Sequence, residues 1–584
     1  MKIKNLKYLG VVAALGMGLS SCNDFLDRPN EDNYNVGTFY ETDEQCYQGV
    51  NYIYNSPWYD FQRGFIKVGE VMSGNMYMGS SPYLTFTVNG TDTDLINMSY
   101  SLWAVIGHSN TVYKNIGESS GPSEEVKNYT RGECLTWKAM AYFYLVRTFG
   151  DVPIVHDNAK EITEGTYNSK FKIKRADVYE YIIMTLEKAM ELLPKKAAQK
   201  GRIDYYCAEA LLAKVYLTRS GLNMSGSRNQ EDLDMAAKLS KDVIDNSGRH
   251  LLANYSDVFR LQNNESEESL IAWRWSAGRD PWTQQNTLQS DLAPQGFDEF
   301  GDCWGGWGGP SVDLQDAFNI DVINTDPKNR IDTDTRRKAT MMLPGDHYEY
   351  FWTNKGGFDV LKFSYDAEDY GKGGPGQWQC GTGAYNVKHL YGNGYDHEAA
   401  TGTAAGNMFS MLATHILRLS DVYLIHAEAV LGNNASTSNA SALEAYNAVR
   451  GRAIPGVTPK ASITFDDVWK ERRLELAGEG DRWYDYVRLS YYDVNRAINE
   501  LKSQRRNTYW NLDALYKYYY ENGVWDPSKA GSDNGVEFGY DDQTEAPNVT
   551  ASSFTLPFPT QDAVMNPNLL KDPIDCDVRT EYAY

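Results

Sequence analysis

Apolar residues recur at three- and four-residue steps along several stretches of the chain. In "GECLTWKAMAYFYLVRTFGDVPIV", Cys134, Trp137, Ala141, Tyr144 or Leu145 and Thr148 fall on one stripe, and Gly150 and Pro153 then stop the helix. The pattern predicts a helix with one buried face. It returns in "YYCAEALLAKVYLTRSG" (Ala208, Leu211, Leu212, Val215, Tyr216) and in "RLSDVYLIHAEAVLG" (Leu419, Val422, Tyr423, His426, Val430). His426 on that stripe reads as a packed core histidine and not as a ligand. Alanines at 208, 210, 213, 427 and 429 let neighbouring helices approach closely. The same spacing predicts further helices at about 42–55, 101–117, 175–193, 232–246, 438–452 and 465–489.

The helical patterns form two groups, 42–246 and 410–490, as antiparallel pairs with short connections. Between them, from about 273 to 408, helical spacing gives way to Gly, Trp, Tyr, Asp and Asn, as in "CWGGWGGPS" and "GKGGPGQWQCGTGAYN". A second loop-rich block, 505–584, wraps back from the last helix. The division expected is 1–21, 22–270 (helical), 271–409 (loop-rich, ligand-binding) and 410–584 (helical, with the wrapping tail). Loops displayed on a rigid scaffold are where binding residues usually sit. No internal repeat is evident.

The first 22 residues change the picture of where the chain works. Lys2, Lys4 and Lys7 precede the twelve-residue apolar run "YLGVVAALGMGL", and "LSSC" ends at Cys22. Twelve residues are too few to span a bilayer, which needs about 20, so the segment reads as an export signal. Ser20 and Ser21 before a cysteine resemble a bacterial lipoprotein box, with acylation at Cys22; two or more acyl chains anchor stably where one does not. The rest of the 584 residues should be globular and tethered from outside. With 56 basic and 78 acidic residues, a net charge of −22, the surface argues against nucleic acid and anionic lipid as ligands. The remaining six cysteines are far apart, and the eight histidines include no HExxH and no ligand-spaced cluster. No cofactor and no catalytic metal are expected, a surface calcium site being left open.

One stretch looks catalytic at first sight. In "ERRLELAGEGDRWYDYVRL", Glu471, Glu475 and Glu479 stand at i, i+4 steps. On one helix their Cβ atoms would be about 5–6 Å apart, near the roughly 5–5.5 Å between the carboxyl groups of a retaining glycosidase. Arg472 and Arg482, however, sit three residues from Glu475 and Glu479, at salt-bridge spacing. A carboxylate beside arginine keeps its charge, whereas a general acid needs its pKa raised. The stretch reads as structural.

Several segments together resemble the SusD/RagB family of Bacteroidetes outer-membrane lipoproteins over nearly the whole chain. "CNDFLDRPNED" at 22–32 is similar to the family's start. "RGECLTWKAMAYFYLVRTFGDVP" resembles its long helix, and "SLWAVIGHSNTVYKNI" another, with Ile106 where a tyrosine is usual and Asn110 kept. "LRLSDVYLIHAEA", "ALEAYNAVRGRA" and the ending "FTLPFPTQDAVMNPNLLKDP" are similar to later family segments. "RRLELAGEGDRWYDYVR" resembles a signature that is structural in this family, tying neighbouring elements together around Gly480 and Trp483. The resemblance implies a mostly α fold of tetratricopeptide-like helix pairs cradling an irregular ligand-binding portion. It also implies non-catalytic nutrient capture, and a lid role on a SusC-like TonB-dependent transporter in the outer membrane.

Neutral sugars carry no charge to grip, but their C–H faces cover aromatic rings while polar groups take the hydroxyls at the rim. The chain holds 14 Trp, 42 Tyr and 20 Phe. The resemblance places sugar-stacking residues in "GNMYMGSSPYLTF" (Tyr77, Tyr83) and in 280–309 (Trp282, Trp304, Trp307). Trp378, in a Gly-rich loop, joins them. The five glycines of "GDCWGGWGGP" make a context too flexible for a core helix and suited to presenting Trp304 and Trp307 to solvent. Trp103, Trp137, Trp469 and Trp483 lie on patterned helices and read as core. Three functions compete: capture of a polysaccharide or oligosaccharide, capture of peptide on the same fold, and surface glycoside hydrolysis.

Overall fold

The computed structural model describes residues 39–584 apart from 80, 278–283, 299–302, 367–369, 371–375, 406, 407, 409, 510 and 531–547. Cys22 with its export segment, and Trp282, lie outside the described residues. The chain is mostly helical. Its longer helices are α1 (Asp43–Asn51), α2 (Thr93–Glu118), α3 (Glu124–Phe149), α4 (Arg175–Leu192), α5 (Tyr205–Arg219), α6 (Gln230–Asn246), α7 (Leu419–Leu431), α8 (Ala440–Ala453), α9 (Phe465–Leu476), α10 (Arg482–Ser503) and α11 (Leu512–Asn522). Side-chain caps start several of them: Thr42 and Gln45 form a reciprocal capping box on α1, and Asp92 accepts from the first-turn amides of α2. The Asp92 cap starts α2 eight residues before the apolar spacing becomes readable.

Successive helices pack on one another from α2 through α7, and α7 then packs on α8 and α9. The contact between α6 and α7 is made although residues 247–418 separate them in sequence. Short antiparallel strands close that gap: β2 (Ser269–Trp273) pairs with β4 (Thr414–Arg418), with Trp273 opposite Thr414. The loop-rich portion therefore leaves the helical scaffold through one strand and returns through its neighbour. Two further short strands, β1 (Met76–Tyr77) and β3 (Gly309–Pro310), join the loop after the helical segment 62–71 to the "CWGGWGGP" loop.

Helix α3 is buried on all sides from Gly132 onward, and not on a single face. It lies between α2 and α4, and its charged residues find internal partners: Glu133 pairs with Arg202 at 2.8 Å and Arg147 with Asp481 at 3.1 Å. Gly150, with φ 77°, ends it.

The single helix expected over 465–489 is instead two, α9 and α10, separated at Ala477–Asp481. Gly478 and Gly480 have φ of 84° and 72°, a left-handed backbone that glycine adopts without strain. A Cβ on Gly480 would stand 2.3 Å from the Phe65 ring, and one on Gly69 would stand 2.3 Å from the Gly480 carbonyl oxygen. The break presses against residues 65–69 of a helical segment, and only glycine fits at positions 69 and 480.

Candidate functional site

That break removes Glu479 from the helical series, so the three glutamates never share one helix face. All three are buried. Glu475 accepts from Arg452 at 2.6 Å, Arg418 at 3.2 Å and Arg336 at 3.3 Å. Glu479 accepts from Arg418 at 2.6 Å and Lys388 at 2.8 Å, and Glu471 from Arg336 at 2.7 Å. These partners come from β4, α8 and the loop-rich portion, not from the arginines three residues away. Among the described residues, Arg472 pairs instead with Asp421 and Asp485, and Arg482 with Asp485. Burial alone would raise the Glu475 and Glu479 carboxyls, but the surrounding cations outweigh it and hold both near a pKa of about 2. Groups ionised that firmly cannot supply a proton near neutral pH.

An open concavity lies elsewhere. A groove of about 420 Å³ is lined by Arg63, Lys67, Met78, Asp291, Trp304 and Trp307, among others. Trp304 is 45 % and Trp307 60 % exposed. The Trp304 indole Nε1 donates to Asp291 Oδ1 at 3.0 Å, and Arg63 Nε donates to Asp291 Oδ2 at 3.3 Å. One carboxylate thus orients an indole and neutralises a guanidinium. The second cation, Lys67, is paired with Asp94 in the first turn of α2.

The glycines around these tryptophans serve close approach and not flexibility. Trp304 N donates to Ser290 O and Gly305 N to Ala293 O, both at 3.0 Å, so the loop lies flat on the 290–293 turn. A Cβ on Gly305 would stand 2.0 Å from Asp291 O, and one on Gly309 2.3 Å from Ala384 O. With the backbone fixed there, Trp304 and Trp307 are carried on a held platform.

The other aromatics expected at the site divide. Tyr77 lies on β1 opposite Gly309, two residues from Trp307, and is half-buried against the core; Met78 and Gly79 after it line the groove. Tyr83 is fully buried and its hydroxyl donates to Asp92, the α2 cap, at 2.6 Å. It is a core residue and offers no ring face to a ligand. Trp378 is also buried: it stacks on Tyr385 at 4.2 Å, meets Tyr516 of α11 edge-on at 4.8 Å, and donates from Nε1 to Cys380 O. Its Gly-rich neighbourhood concealed a packed aromatic cluster. Arg63 and Asp291 were missed by sequence reasoning. They stand 228 positions apart in "FQRGF" and "LQSDL", and no spacing links them.

The core assignments on helices follow the structure. His426 is buried and bonded to Ser240, Ala237 O and Ser441; Trp137, Trp469 and Trp483 are buried, and Trp103 is half-buried against the core. Cys46, Cys134, Cys207 and Cys380 are buried free thiols, and Cys576 is a partly exposed one.

Comparison with known proteins gives these features a family. A model described as the SusD family matches residues 256–574, and one described as starch-binding associating with outer membrane matches 24–217. A SusD-like protein of Bacteroides ovatus is 32% identical, over 98% of this chain and 99% of its own. A crystal structure determined with xylogluco-oligosaccharide is 30% identical with a TM-score of 0.75, covering 91% of this chain and 99% of that one. The surface glycan-binding protein A of Bacteroides thetaiotaomicron, in complex with laminarihexaose, shares the fold at 18% identity and a TM-score of 0.61, covering 90% and 97%. With a family model spanning more than half of the chain and a relative this similar along nearly all of it, the chain belongs to the SusD family.

Proposed function

We propose that this protein captures a neutral polysaccharide or oligosaccharide on the Trp304–Trp307 groove, leaves it intact, and passes it to a SusC-like TonB-dependent transporter. In this reading it works at the outer membrane, held there by acylated Cys22. The observation that carries the reading is the pair of half-open indoles beside a groove whose polar groups are already neutralised. Stacking faces with a hydrogen-bonding rim suit an uncharged, hydroxyl-rich ligand. The relative solved with xylogluco-oligosaccharide supports the ligand class, and the family description supports association with the outer membrane.

Two features disfavour the alternatives. Peptide capture would call for an unpaired cation to take a carboxylate, yet Arg63 is committed to Asp291 and Lys67 to Asp94. Hydrolysis would call for two facing carboxyl groups, and among the described lining residues Asp291 is the one acid, tied to Arg63 and Trp304. Affinity electrophoresis across neutral polysaccharides, xyloglucan first, tests the proposal alongside a reducing-end assay. Retardation by at least one polymer without new reducing ends is expected. Retardation by none, or new reducing ends that vanish in Asp291→Asn, would contradict it.

A further inference from the structure

A second cavity, of about 590 Å³, opens beside the groove and is lined by Gln48, Asn51, Tyr52, Asn55, Gln199 and Gln284, with Arg202 and Arg274 deeper. Its chemistry is mainly that of carboxamides around two tyrosines, Tyr52 at the surface and Tyr54 buried. Tyr52 is 39 % exposed and is held by an edge contact to His108, ring centroids 4.7 Å apart. Lys200 and Glu265 add one exposed charge of each sign to the lining, and the arginines do not make it a site for anions. Arg202 is bidentate to the buried Glu133, at 3.0 and 2.8 Å, and Arg274 donates to the carbonyl oxygens of Gly201 and Asn264.

Two amides of the wall, Asn51 and Gln284, present oriented donors. Arg202 Nη1 donates to Asn51 Oδ1 at 2.6 Å, which fixes the flip of that amide and leaves its Nδ2 pointing away from the guanidinium. The Ser276 hydroxyl donates to Gln284 Oε1 at 3.3 Å, which leaves Gln284 Nε2 as a donor in the same way. Donors of this kind, with a ring beside them, match sugar hydroxyl and ring oxygens.

The two concavities share a pair of chain segments. Tyr52 and Asn55 line the cavity while Arg63 and Lys67 line the groove; Ser276 and Gln284 line the cavity while Leu288 and Asp291 line the groove. Between them Gln62 clasps the segments together, donating to Gln285 O at 3.3 Å and accepting from Thr287 N at 3.1 Å. Asn55 and Arg63 are separated by tight helical turns rising 1.5–2 Å per residue, roughly 12–16 Å in all.

We propose that the Tyr52–Gln284 cavity is a second glycan-binding site, so that one polymer chain engages the tryptophan groove and this cavity together. The proposal rests on the glycan reading above. Two linked sites on one chain raise affinity for long ligands more than for short ones, through effective concentration.

The test compares a neutral polymer that retards the wild-type protein with a short oligosaccharide of the same glycan, xyloglucan being tried first. Tyr52→Ala removes the ring; Asn51→Asp removes the amide donor while keeping an acceptor for Arg202. The Tyr52→Ala/Asn51→Asp double variant should bind the polymer about 3- to 10-fold more weakly, while oligosaccharide affinity at the groove stays at the wild-type value. In Trp304→Ala/Trp307→Ala protein, the residual polymer binding should disappear when Tyr52→Ala is added. Melting temperatures measured in parallel identify any variant that has lost its fold, and Tyr52→Phe, which keeps the ring, should then retain binding. Polymer affinity unchanged in the double variant overturns the second site and leaves the groove standing. No retardation of wild type by any neutral polymer overturns the glycan reading and this site with it.

Discussion

The buried network around Glu475 and the groove around Asp291 use the same two ingredients, a carboxylate and arginine. They differ in access to water. Glu475 of α9 is completely enclosed and meets three guanidiniums, which β4, α8 and the loop-rich portion bring to it. Asp291 meets one guanidinium that is 57 % exposed and one indole that is 45 % exposed. Removing a partner inside the first leaves a charge stranded in low dielectric. Removing one in the second lets water take its place. The comparison teaches that a dense run of Glu and Arg in sequence can mark the most structural part of a protein, and that a binding surface can rest on one modest ion pair.

The largest effects should come from breaking the buried side. Glu475→Gln is expected to cost about 3–5 kcal/mol of stability, read as a lowered melting temperature, with glycan affinity unchanged in the folded fraction. Trp378→Ala should behave alike, losing about 3–5 kcal/mol through the cavity left against Tyr385 and Tyr516. A normal melt with lost binding for Trp378→Ala would return that residue to the site.

Acid sharpens the contrast. Glu475 and Glu479 sit near a pKa of about 2 when folded, below the ordinary value of about 4.3 for glutamate. A depressed folded value means that their stabilisation is fully present above about pH 5 and is lost as pH falls toward 2. Thermal melts from pH 7 to 2.5 should show a steep fall below pH 5, shallower in Glu475→Gln. The same slope in both proteins would remove these carboxylates from the account.

The smallest effect belongs to the groove's polar clamp. Asp291→Asn keeps the hydrogen bond from Trp304 within reach but releases Arg63, and should weaken glycan binding by only about 0.5–1 kcal/mol, a few-fold. Titration calorimetry would detect it. A loss of a hundredfold would mean that Asp291 contacts the ligand directly.

Much of the helical scaffold was legible because α3, α5 and α7 are long runs rich in apolar residues and alanine with visible stop signals such as Gly150, although α3 and α5 are buried all round and not on one stripe. The break at Ala477–Asp481 was not, since Gly478 and Gly480 sit inside an otherwise unbroken pattern and Gly480 answers to the helical segment Phe65–Gly69, about four hundred residues away. At the site, the exposure of Trp304 and Trp307 agrees with the glycine-rich context, though through close backbone contact and not looseness. Tyr83 and Trp378 were misread for a shared reason: their burial comes from distant partners, Asp92 at the α2 cap and Tyr516 on α11, which local composition does not encode. Arg63 and Asp291 carry no local signal at all.

The central claim is that Trp304 and Trp307 form the glycan platform and contribute little to the fold. Calorimetric titration of a binding neutral oligosaccharide, xylogluco-oligosaccharide first, into Trp304→Ala and Trp307→Ala tests it, with melting curves of both. Each variant is predicted to lose about 1–2 kcal/mol of binding, a roughly 5- to 30-fold weakening, at an unchanged melting temperature. Wild-type affinity in both variants, or a collapsed melting temperature in either, would contradict the account.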